Sequence, residues 1–388
     1  MRLPEHNANI VDQSLNTIAI LTQEPTPEAG LAQEEKALFK IDPLSDSRWE
    51  TFLSRHPEAS VFHSRPWLEA LRRTYGYEAL SYSTSAPGEP LRDSLLFCQV
   101  QNWLTGRRLV SLPFSDHCQP LVQNPNDVGD LVERVAKHTS AENWRYVEFR
   151  PKGALGSQAR SWYLSTSYKL HRVNLKGNLD AIFSRFHKSS IQRKIKRAER
   201  ESVRCESGTS DSLLDIFYRL LTVTRRRHGV PPQPKTWFRN LRDCFGPALQ
   251  ISVASKNGTP LAAMLTLRHK NTLVYKYGGS DTRFHYLGGV HTLYWEAIQR
   301  AKSLGLGEFD LGRCDVDQEG LITFKRRWAA DETDLTYYRI AGPEQALHVF
   351  DVSAGRSRWK VRAAKTVFSH TPNWVLPGLG RILYKHIG

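Results

Sequence analysis

The fold follows from the stretch YGGSDTRFHYLGGVHTLYWEAIQRAKSLG at residues 277–305, which predicts a strand end, a glycine-rich loop and a helix. The strand ends at Tyr277, and the helix begins after Gly288 and Gly289. Glycines ahead of a helix let a ligand approach free backbone N–H groups, where the helix dipole favours a phosphate. An ordinary strand–loop–helix connection would explain the same pattern. The candidate phosphate-binding positions are Tyr277, Gly279, Asp281, Gly288 and Gly289.

Regular elements surround this stretch on both sides. The helix ends at Gly305, which we expect to be its C-terminal cap, and a strand follows at residues 307–312. Asn257 and Gly258 predict a two-residue type I′ hairpin between two of the preceding strands. The predicted strands of this half lie at residues 168–175, 248–255, 260–269 and 271–279, and its upstream helices at about 179–201, 211–228 and 235–243.

The first half of the chain has a similar order of elements. Its predicted helices lie at residues 45–55, 65–75 and 126–139, and its strands at 79–85, 94–101, 107–114 and 146–150. Strands interrupted by helices in this way indicate a mixed sheet rather than a doubly wound one. The predicted fold class is therefore α/β (α+β), with two tandem domains that each have a mainly antiparallel sheet flanked by helices. The expected segments are a mobile leader at 1–36, domains at 37–160 and 161–345, and a basic amphipathic tail at 346–388.

Composition limits the classes of function. The 388 residues are 40% hydrophobic, enough for two buried cores, and the net charge of +15 favours a polyanionic partner. Five dispersed cysteines fit a reducing compartment, and no window has the ~20 apolar residues of a membrane span. Since we see no signal peptide, we expect a cytoplasmic protein. No H-E-x-x-H, Walker A or G-x-S-x-G motif is present, so we expect no metal site.

Six segments together carry a family resemblance. They are SRPWLEAL (64–71), LPFSDHCQPLV (112–122), HKSSIQRKIKRAERE (187–201), TRRRHGVPPQP (224–234), VYKYGGSD (274–281) and WEAIQRAKSLGLGEFDLGRCDVDQEGLITFKRRW (295–328). Over residues 45–345 the chain resembles the GNAT (N-acetyltransferase-like) superfamily. The similarity is to its tandem branch of Fem-type aminoacyl transferases and BioF-like acetyltransferase-domain relatives, including the branch associated with exopolysaccharide and PEP-CTERM systems.

The resemblance implies two GNAT-like domains and an N-acyltransferase that forms an amide on a cell-envelope precursor, in peptidoglycan or exopolysaccharide synthesis. The acceptor would be a nucleotide- or lipid-linked amine. The donor would be a phosphate-rich acyl-CoA or aminoacyl-tRNA, with no cofactor bound permanently. Both donors stay open, because the glycine-rich acyl-CoA loop is only partly present as RFHYLGG and the chain has no room for a long helical hairpin.

The resemblance also implies a role for two adjacent residues, Phe324 and Lys325. An analogous Phe-Lys pair lies at the acyl-transfer centre of Fem-like enzymes. An amine that attacks an acyl carbonyl creates an oxyanion, which a desolvated ammonium can stabilise. The alternative is that Lys325 belongs to a solvated basic edge together with Arg326 and Arg327.

A second pair, Asp116 and His117, follows a predicted strand in PFSDHCQP. Asp116 resembles a family carboxylate that faces the acceptor and could orient or deprotonate its ammonium. The unperturbed pKa of a histidine suits proton transfer, so His117 is a candidate as well. An Asx-turn that caps the strand would explain Ser-Asp equally well.

Two basic clusters suit a phosphate-rich ligand. The first lies within residues 185–204 and includes Arg193, Lys194 and Arg197, and the second includes Arg225 and Arg226. Merely solvated helices would account for both clusters.

The tail at residues 355–388 combines seven basic residues, no acidic residue and an apolar helical face. Such a segment is typical of an interfacial anchor on an anionic membrane surface, here the inner face of the membrane. A helix that packs on its own domain is the alternative. Two other functions remain open: an acyl-CoA-dependent N-acetyltransferase of an amino sugar nucleotide, and a non-catalytic membrane-surface or nucleic-acid-binding protein on a GNAT scaffold.

Overall fold

The computed structural model describes residues 37–102, 106–140, 142, 144–154, 162–341, 367–368, 370–372 and 375–387. The expected leader and most of the expected tail lie outside these residues. The described strands are β1 (Phe39–Ile41), β2 (Glu78–Ser83), β3 (Leu95–Asn102), β4 (Gly106–Val110), β5 (Tyr146–Phe149), β6 (Tyr163–Asn174), β7 (Arg204–Gly208), β8 (Leu249–Lys256), β9 (Thr259–His269), β10 (Thr272–Ser280), β11 (Glu308–Asp315) and β12 (Asp331–Ala341). The described helices are α1 (Arg48–Arg55), α2 (Arg65–Tyr75), α3 (Val128–Ser140), α4 (Leu179–Arg185), α5 (Arg193–Arg200), α6 (Asp211–Arg227), α7 (Lys235–Phe245), α8 (Gly289–Ser303), α9 (Glu319–Arg326) and α10 (Leu376–Ile387).

The described strands form one continuous sheet in the order β1-β2-β3-β4-β5-β12-β6-β11-β10-β9-β8-β7. Neighbours are antiparallel except for the parallel pairs β4–β5 and β10–β11. The predicted mixed, mainly antiparallel sheet flanked by helices is therefore confirmed. Strand β12 lies between β5 and β6 and joins the two halves of the sheet. The domain boundaries drawn from the sequence remain predictions.

The two faces of the sheet bury separate cores. Along β3, Leu96 and Cys98 point into a core shared with α1, α2, α6 and α7, whereas Leu95 and Phe97 point into the core under α3. This alternation is the period of two that a strand imposes. In the first core, the rings of Trp67 (α2) and Trp237 (α7) meet edge-on with their centroids 5.3 Å apart. Helices α5 and α8 pack on the opposite face of the C-terminal strands.

Several local predictions are confirmed. Helix α2 has the predicted bounds and ends at Gly76, whose φ is +72°. Asn257 and Gly258 both have positive φ, as a type I′ turn requires. Gly305, at φ +72°, follows α8 and donates its N–H to the carbonyl of Lys302.

The predicted continuous helix at residues 179–201 is wrong. Helices α4 and α5 are separated by an extended Phe186 and one turn of π helix at Lys188–Gln192. The extended backbone places the Phe186 ring in the core. The side-chain amide of Gln192 donates to the carbonyls of Phe183 and Phe186 and so satisfies the end of α4. The predicted strand at 107–114 also ends early, because Leu112 and Phe114 adopt positive φ.

Two absences concern the described residues alone. None of their helices has the length and apolar composition needed to cross a bilayer. Nor do they contain a group of three or more His, Cys, Asp or Glu side chains arranged to hold a metal ion.

Candidate active site

The site lies where β10 and β11 separate. Their parallel ladder joins Thr272–Val274 to Glu308–Asp310 and stops there, although both strands continue. Immediately beyond, β10 shifts register at Tyr275–Tyr277 and β11 shifts register after Asp310. Irregularities of this kind re-aim side chains next to active sites. Gly312, at φ +71°, lies within the bulge of β11.

Lys325 reaches this bulge from the last turn of α9. Its side chain is buried, and its Nζ donates to the carbonyl oxygens of Gly312 at 2.8 Å and Arg313 at 3.1 Å. The thiol of Cys314 is another neighbour: burial raises the pKa of Cys314, and the Lys325 charge opposes this rise. A solvated basic edge is therefore the wrong explanation for Lys325. It suits the exposed Arg326, which pairs with Glu332.

Asp116 approaches the same bulge from the loop after β4. Its Oδ1 accepts a hydrogen bond from Lys276 Nζ at 3.0 Å and lies 3.8 Å from Nε of Arg313. A Cβ on Gly312 would lie 3.1 Å from Oδ2 of Asp116. Among the described residues the donor to this carboxylate is Lys276 rather than a neighbouring backbone N–H, so the Asx-turn alternative does not hold. Burial lowers the pKa of Lys276, whose ammonium lies 5.1 Å from the Phe62 ring centroid.

Strand β12 fixes Asp116 from the other side. Tyr337 Oη donates to the backbone carbonyl of Asp116 at 2.7 Å and accepts from Nη1 of Arg313 at 2.8 Å. The guanidinium of Arg313 stacks 3.9 Å from the ring centroid of Tyr168. Because β12 was not predicted from the sequence, this support was missed as well.

His117 faces a carboxylate that the sequence analysis also missed, Asp310. His117 Nε2 lies 4.0 Å from Asp310 Oδ2, and the other oxygen, Oδ1, accepts the N–H of Gly312 at 2.7 Å. Burial, with the charge of Asp116, raises the pKa of Asp310 to about 6. Burial lowers the pKa of His117 well below its usual range, so its imidazole is neutral at pH 7 and the expectation of an unperturbed pKa is wrong. Lys276 and Asp310 could have been recognised in the sequence as candidate site residues, because each is a lone charged residue within an apolar strand.

Phe324 contributes to a different part of the site. It lines a cavity of about 280 Å³ at the N-terminus of α8, together with Gly289, His291, Lys194 and Ser280. Its ring packs edge-on against that of His291, with centroids 5.7 Å apart. Phe324 thus lines the α8 cavity, whereas the adjacent Lys325 contacts the β11 bulge.

The first basic cluster lies beside this cavity. Lys194 Nζ donates to the carbonyl of His285 at 3.3 Å. Burial lowers the pKa of His285, and the charges of Arg227 and Lys194 lower it further. Arg193 and Arg197 are exposed on α5, and the Arg197 guanidinium lies 5.4 Å from a ring centroid, that of Tyr286.

The remaining basic candidates are placed differently. Arg225 and Arg226 are half-buried in the last turn of α6. Neither Arg225 nor Arg226 lines the α8 cavity. The structure therefore brings Lys194 and Gly289 together at one cavity but does not bring Arg225 to it.

Packing accounts for most of the glycine-loop pattern. A Cβ on Gly279 would overlap the α6 backbone at Leu220, and one on Gly288 would lie 2.5 Å from the carbonyl oxygen of Lys194. Asp281 caps the following 3₁₀ turn by accepting the N–H of Arg283, and the Tyr277 hydroxyl accepts the indole N–H of Trp237. Phosphate binding by these residues remains a prediction.

Part of the chain is similar in sequence to a family model and to a known protein. A family model described as an acetyltransferase (GNAT) domain matches residues 185–326. The UDP-N-acetylmuramoylpentapeptide-lysine N(6)-alanyltransferase of Weissella viridescens is 29% identical over 147 residues, which are 37% of this chain and 43% of that protein. The chain thus aligns with less than half the length of this relative.

Solved structures agree on the fold. The crystal structure of FemX superposes with a TM-score of 0.62 at 13% identity, covering 78% of this chain and 97% of FemX. The structure of L-PGS from Bacillus licheniformis superposes with a TM-score of 0.50 at 11% identity, covering 85% of this chain and 98% of that one. Residues 185–326 therefore match a GNAT acetyltransferase domain, and the chain is similar in part of its sequence to a Fem-type alanyltransferase and in its fold to FemX.

Proposed function

We propose that this protein transfers an aminoacyl or acyl group to a primary amine of a cell-envelope precursor and forms an amide. The observation that carries the proposal is the arrangement around Gly312, where a buried ammonium (Lys325) and a half-buried carboxylate (Asp116) flank the point at which β10 and β11 separate. Both residues occupy positions that the Fem-type resemblance assigns to the transfer centre. The alanyltransferase relative supports an amine as the acceptor.

Lys325 would stabilise the negative charge that develops on the acyl carbonyl oxygen during transfer. An ammonium has three donor hydrogens, and two of those on Lys325 are directed to backbone carbonyls, which fixes its position before substrate binds. A charge held in place within a desolvated site stabilises a developing oxyanion without reorganisation. Asp116, already held by Lys276, would orient the incoming ammonium from the opposite side of Gly312.

The donor would lie at the α8 cavity. Free N–H groups at the helix N-terminus and the nearby Lys194 favour phosphate, and Arg193 and Arg197 extend the positive surface. These groups suit the pyrophosphate of acyl-CoA and the 3′ end of an aminoacyl-tRNA equally. The GNAT domain match favours the first donor, and the alanyltransferase relative favours the second.

The acceptor would be a nucleotide- or lipid-linked precursor of peptidoglycan or an exopolysaccharide. Acetyl transfer to an amino sugar nucleotide is the second candidate, favoured by the description of the matched domain as an acetyltransferase. In both cases the protein would act at the inner face of the membrane, with residues 355–388 in contact with anionic lipid.

The test is a matrix of donors and acceptors analysed by mass spectrometry. Alanyl-tRNA and acetyl-CoA would each be incubated with UDP-N-acetylmuramoyl pentapeptide containing lysine and with a UDP-amino sugar. Amide formation on the peptide lysine supports the proposal, and acetylation of the amino sugar supports the second candidate. If neither acceptor gains mass with either donor, both functions are wrong.

A further inference from the structure

A cavity separate from the one at α8 lies between residues 57–62 and the strands β6, β10 and β11. Its volume is about 270 Å³. Its charged and titratable lining consists of Glu58, His117, Lys152, Arg172, His269, Lys270, Glu308 and Asp310. This mixture of charges differs from the basic surface beside the donor cavity and indicates a ligand that is not a phosphate.

Most of these charges already have partners. Lys152 pairs with Glu58 at 3.0 Å, and Arg172 pairs with Glu308 at 3.4 Å. Lys270 donates to two backbone carbonyls at the end of α1. Asp310 differs from the other carboxylates of the lining, because no Lys or Arg nitrogen of the described residues lies within 4 Å of it.

Asp310 and His117 form the buried end of the cavity. Asp310 is 5% exposed and His117 is 3% exposed. Among the described residues, Nδ1 of His117 has no hydrogen-bond partner although it is buried, and an unpaired buried polar atom is costly. A carboxylate with no Lys or Arg nitrogen within 4 Å and an imidazole whose Nδ1 has no hydrogen-bond partner among the described residues therefore border the same space.

We propose that this cavity receives the primary ammonium of the acceptor and that Asp310 accepts its proton, with His117 orienting the carboxylate. The inference rests on the proposed function and adds to it the entry route of the acceptor and the identity of the base. Asp116, which already pairs with Lys276, would orient the ammonium without taking its proton, whereas Asp310 has no such cation as its partner and is open to one. Asp310 is also bonded to the Gly312 N–H, and the carbonyl of the same residue holds Lys325.

The proton balance of the step is as follows. R–NH₃⁺ gives one proton to the Asp310 carboxylate, and the free amine forms a C–N bond with the acyl carbon. The bond from that carbon to the donor oxygen or sulfur breaks. The second amine proton goes to the leaving group, and Asp310 returns its own proton to water.

Electrostatics support this assignment. Burial and the charges of Asp116 and Glu308 disfavour the ionised form of Asp310, whereas Arg172 and the Gly312 N–H favour it. The resulting pKa of about 6 is near working pH, where a general base is most effective. Lys276, which lies beyond Asp116, also acts on the neighbouring His117 and lowers its pKa.

Binding can be tested without any turnover. The probe is Nα-acetyl-L-lysine methylamide, and its control is the norleucine analogue, which lacks the ammonium. Saturation-transfer NMR at pH 7.5 should detect the lysine probe on the wild-type protein. Asp310→Asn should weaken binding by about tenfold, which corresponds to the loss of one charge-assisted contact. Asp315→Asn, at an exposed position of the same strand, should leave binding unchanged.

Equal binding of the two probes, or of the lysine probe to wild type and Asp310→Asn, would overturn the proposal. Thermal melts show whether each variant is folded, and the isosteric Asp310→Asn retains an acceptor for the Gly312 N–H. If an active donor–acceptor pair is found, the acidic limb of kcat/KM near pH 6 should disappear in Asp310→Asn and persist in Asp315→Asn. Probe binding without any product would contradict the proposed function alone.

Discussion

At the scale of single residues, Lys325 allows the sharpest test of the transfer chemistry. If its ammonium stabilises the oxyanion, Lys325→Ala should lower kcat by about 10²–10³-fold, with a smaller effect on the KM of the acceptor. Lys325→Arg should restore little activity, because a planar guanidinium cannot replace a compact ammonium between the carbonyls of Gly312 and Arg313. Steady-state kinetics with the active pair of substrates provides the measurement.

The control for this prediction is Arg327→Ala. Arg327 is exposed two residues further along the chain, so its loss removes a positive charge without touching the bulge. If both alanine variants lose activity to the same extent and only through KM, Lys325 contributes general positive charge and not transition-state stabilisation. Urea unfolding should accompany the kinetics, because Lys325→Ala also leaves two carbonyls without their donor, at a cost of roughly 1–3 kcal/mol.

Asp310 should leave a signature in stability against pH. Its folded-state pKa of about 6 lies above the ordinary value of 3.8, so the folded protein binds more protons than the unfolded chain between these values. The contribution of Asp310 to stability is therefore fully present below pH 3.8 and is lost as pH rises through 6. The free energy of unfolding of Asp310→Asn relative to wild type should rise over this range by about 2–3 kcal/mol.

Urea titrations of both proteins at pH 4, 5, 6 and 7 give this difference directly. Carboxylates that do not interact with Asp310, such as Glu332 with its pKa of about 2, titrate alike in both proteins and cancel in the difference. A difference that stays constant from pH 4 to pH 7 would contradict the raised pKa.

At the scale of secondary-structure elements, the bulge of β11 couples backbone shape to the position of Asp116. Gly312 and Gly305 have nearly the same positive φ, 71° and 72°. A Cβ at Gly305 meets open space, whereas one at Gly312 lies 3.1 Å from Oδ2 of Asp116. Each alanine variant should lose roughly 1–2 kcal/mol through backbone strain. Gly312→Ala should in addition lower kcat, because Asp116 must move.

Comparison of the two variants separates strain from displacement. Thermal unfolding and steady-state kinetics on both proteins are sufficient. If Gly305→Ala loses as much activity as Gly312→Ala, the effect belongs to global stability and the bulge has no special role.

Elements were predictable from the sequence where local signals and tertiary packing agree. Helix α2 has its predicted bounds because its apolar stripe, Pro66 and Gly76 mark the same segment. The break between α4 and α5 was not predictable, because it depends on Gln192 reaching carbonyls of the preceding helix and on Phe186 entering a core built by distant segments. Lys325 and Asp116 were found through resemblance. The sequence does not show that Asp310 and Lys276 belong to one site, because only the folded sheet brings the irregular parts of β10 and β11 together.

At the scale of the whole molecule, the described part of the tail packs on the protein. The Tyr384 hydroxyl of α10 donates to the carbonyl of Pro231, and Tyr77 donates to the carbonyl of Tyr384. A Cβ on Gly380 would overlap the carbonyl oxygen of Pro232, whereas one on Gly378 meets no atom within 4 Å. Gly380→Ala should therefore loosen α10, and Gly378→Ala should not.

This pair of variants tests the proposed membrane contact. If the tail binds anionic lipid, releasing α10 from the protein should increase co-sedimentation with phosphatidylglycerol vesicles, and added salt should reverse the gain. Gly378→Ala should behave as wild type. A loss of thermal stability in Gly380→Ala without any gain in vesicle binding would show that α10 serves packing alone.

The central position of β12 in the sheet has a consequence for how the protein folds during synthesis. This strand, Asp331–Ala341, pairs with both β5 and β6 and is the last of the described strands in chain order, so the middle of the sheet is completed only after the other described strands have been synthesised. Until then the nascent chain exposes two unpaired strand edges, which are the surfaces that recruit foreign strands. The matched residues 185–326 exclude both β6 and β12, so they lack the strands that join the two halves of the sheet. We therefore expect a chain that stops between β11 and residue 331 to aggregate more readily than the full chain, because the edges of β5 and β6 would stay unpaired.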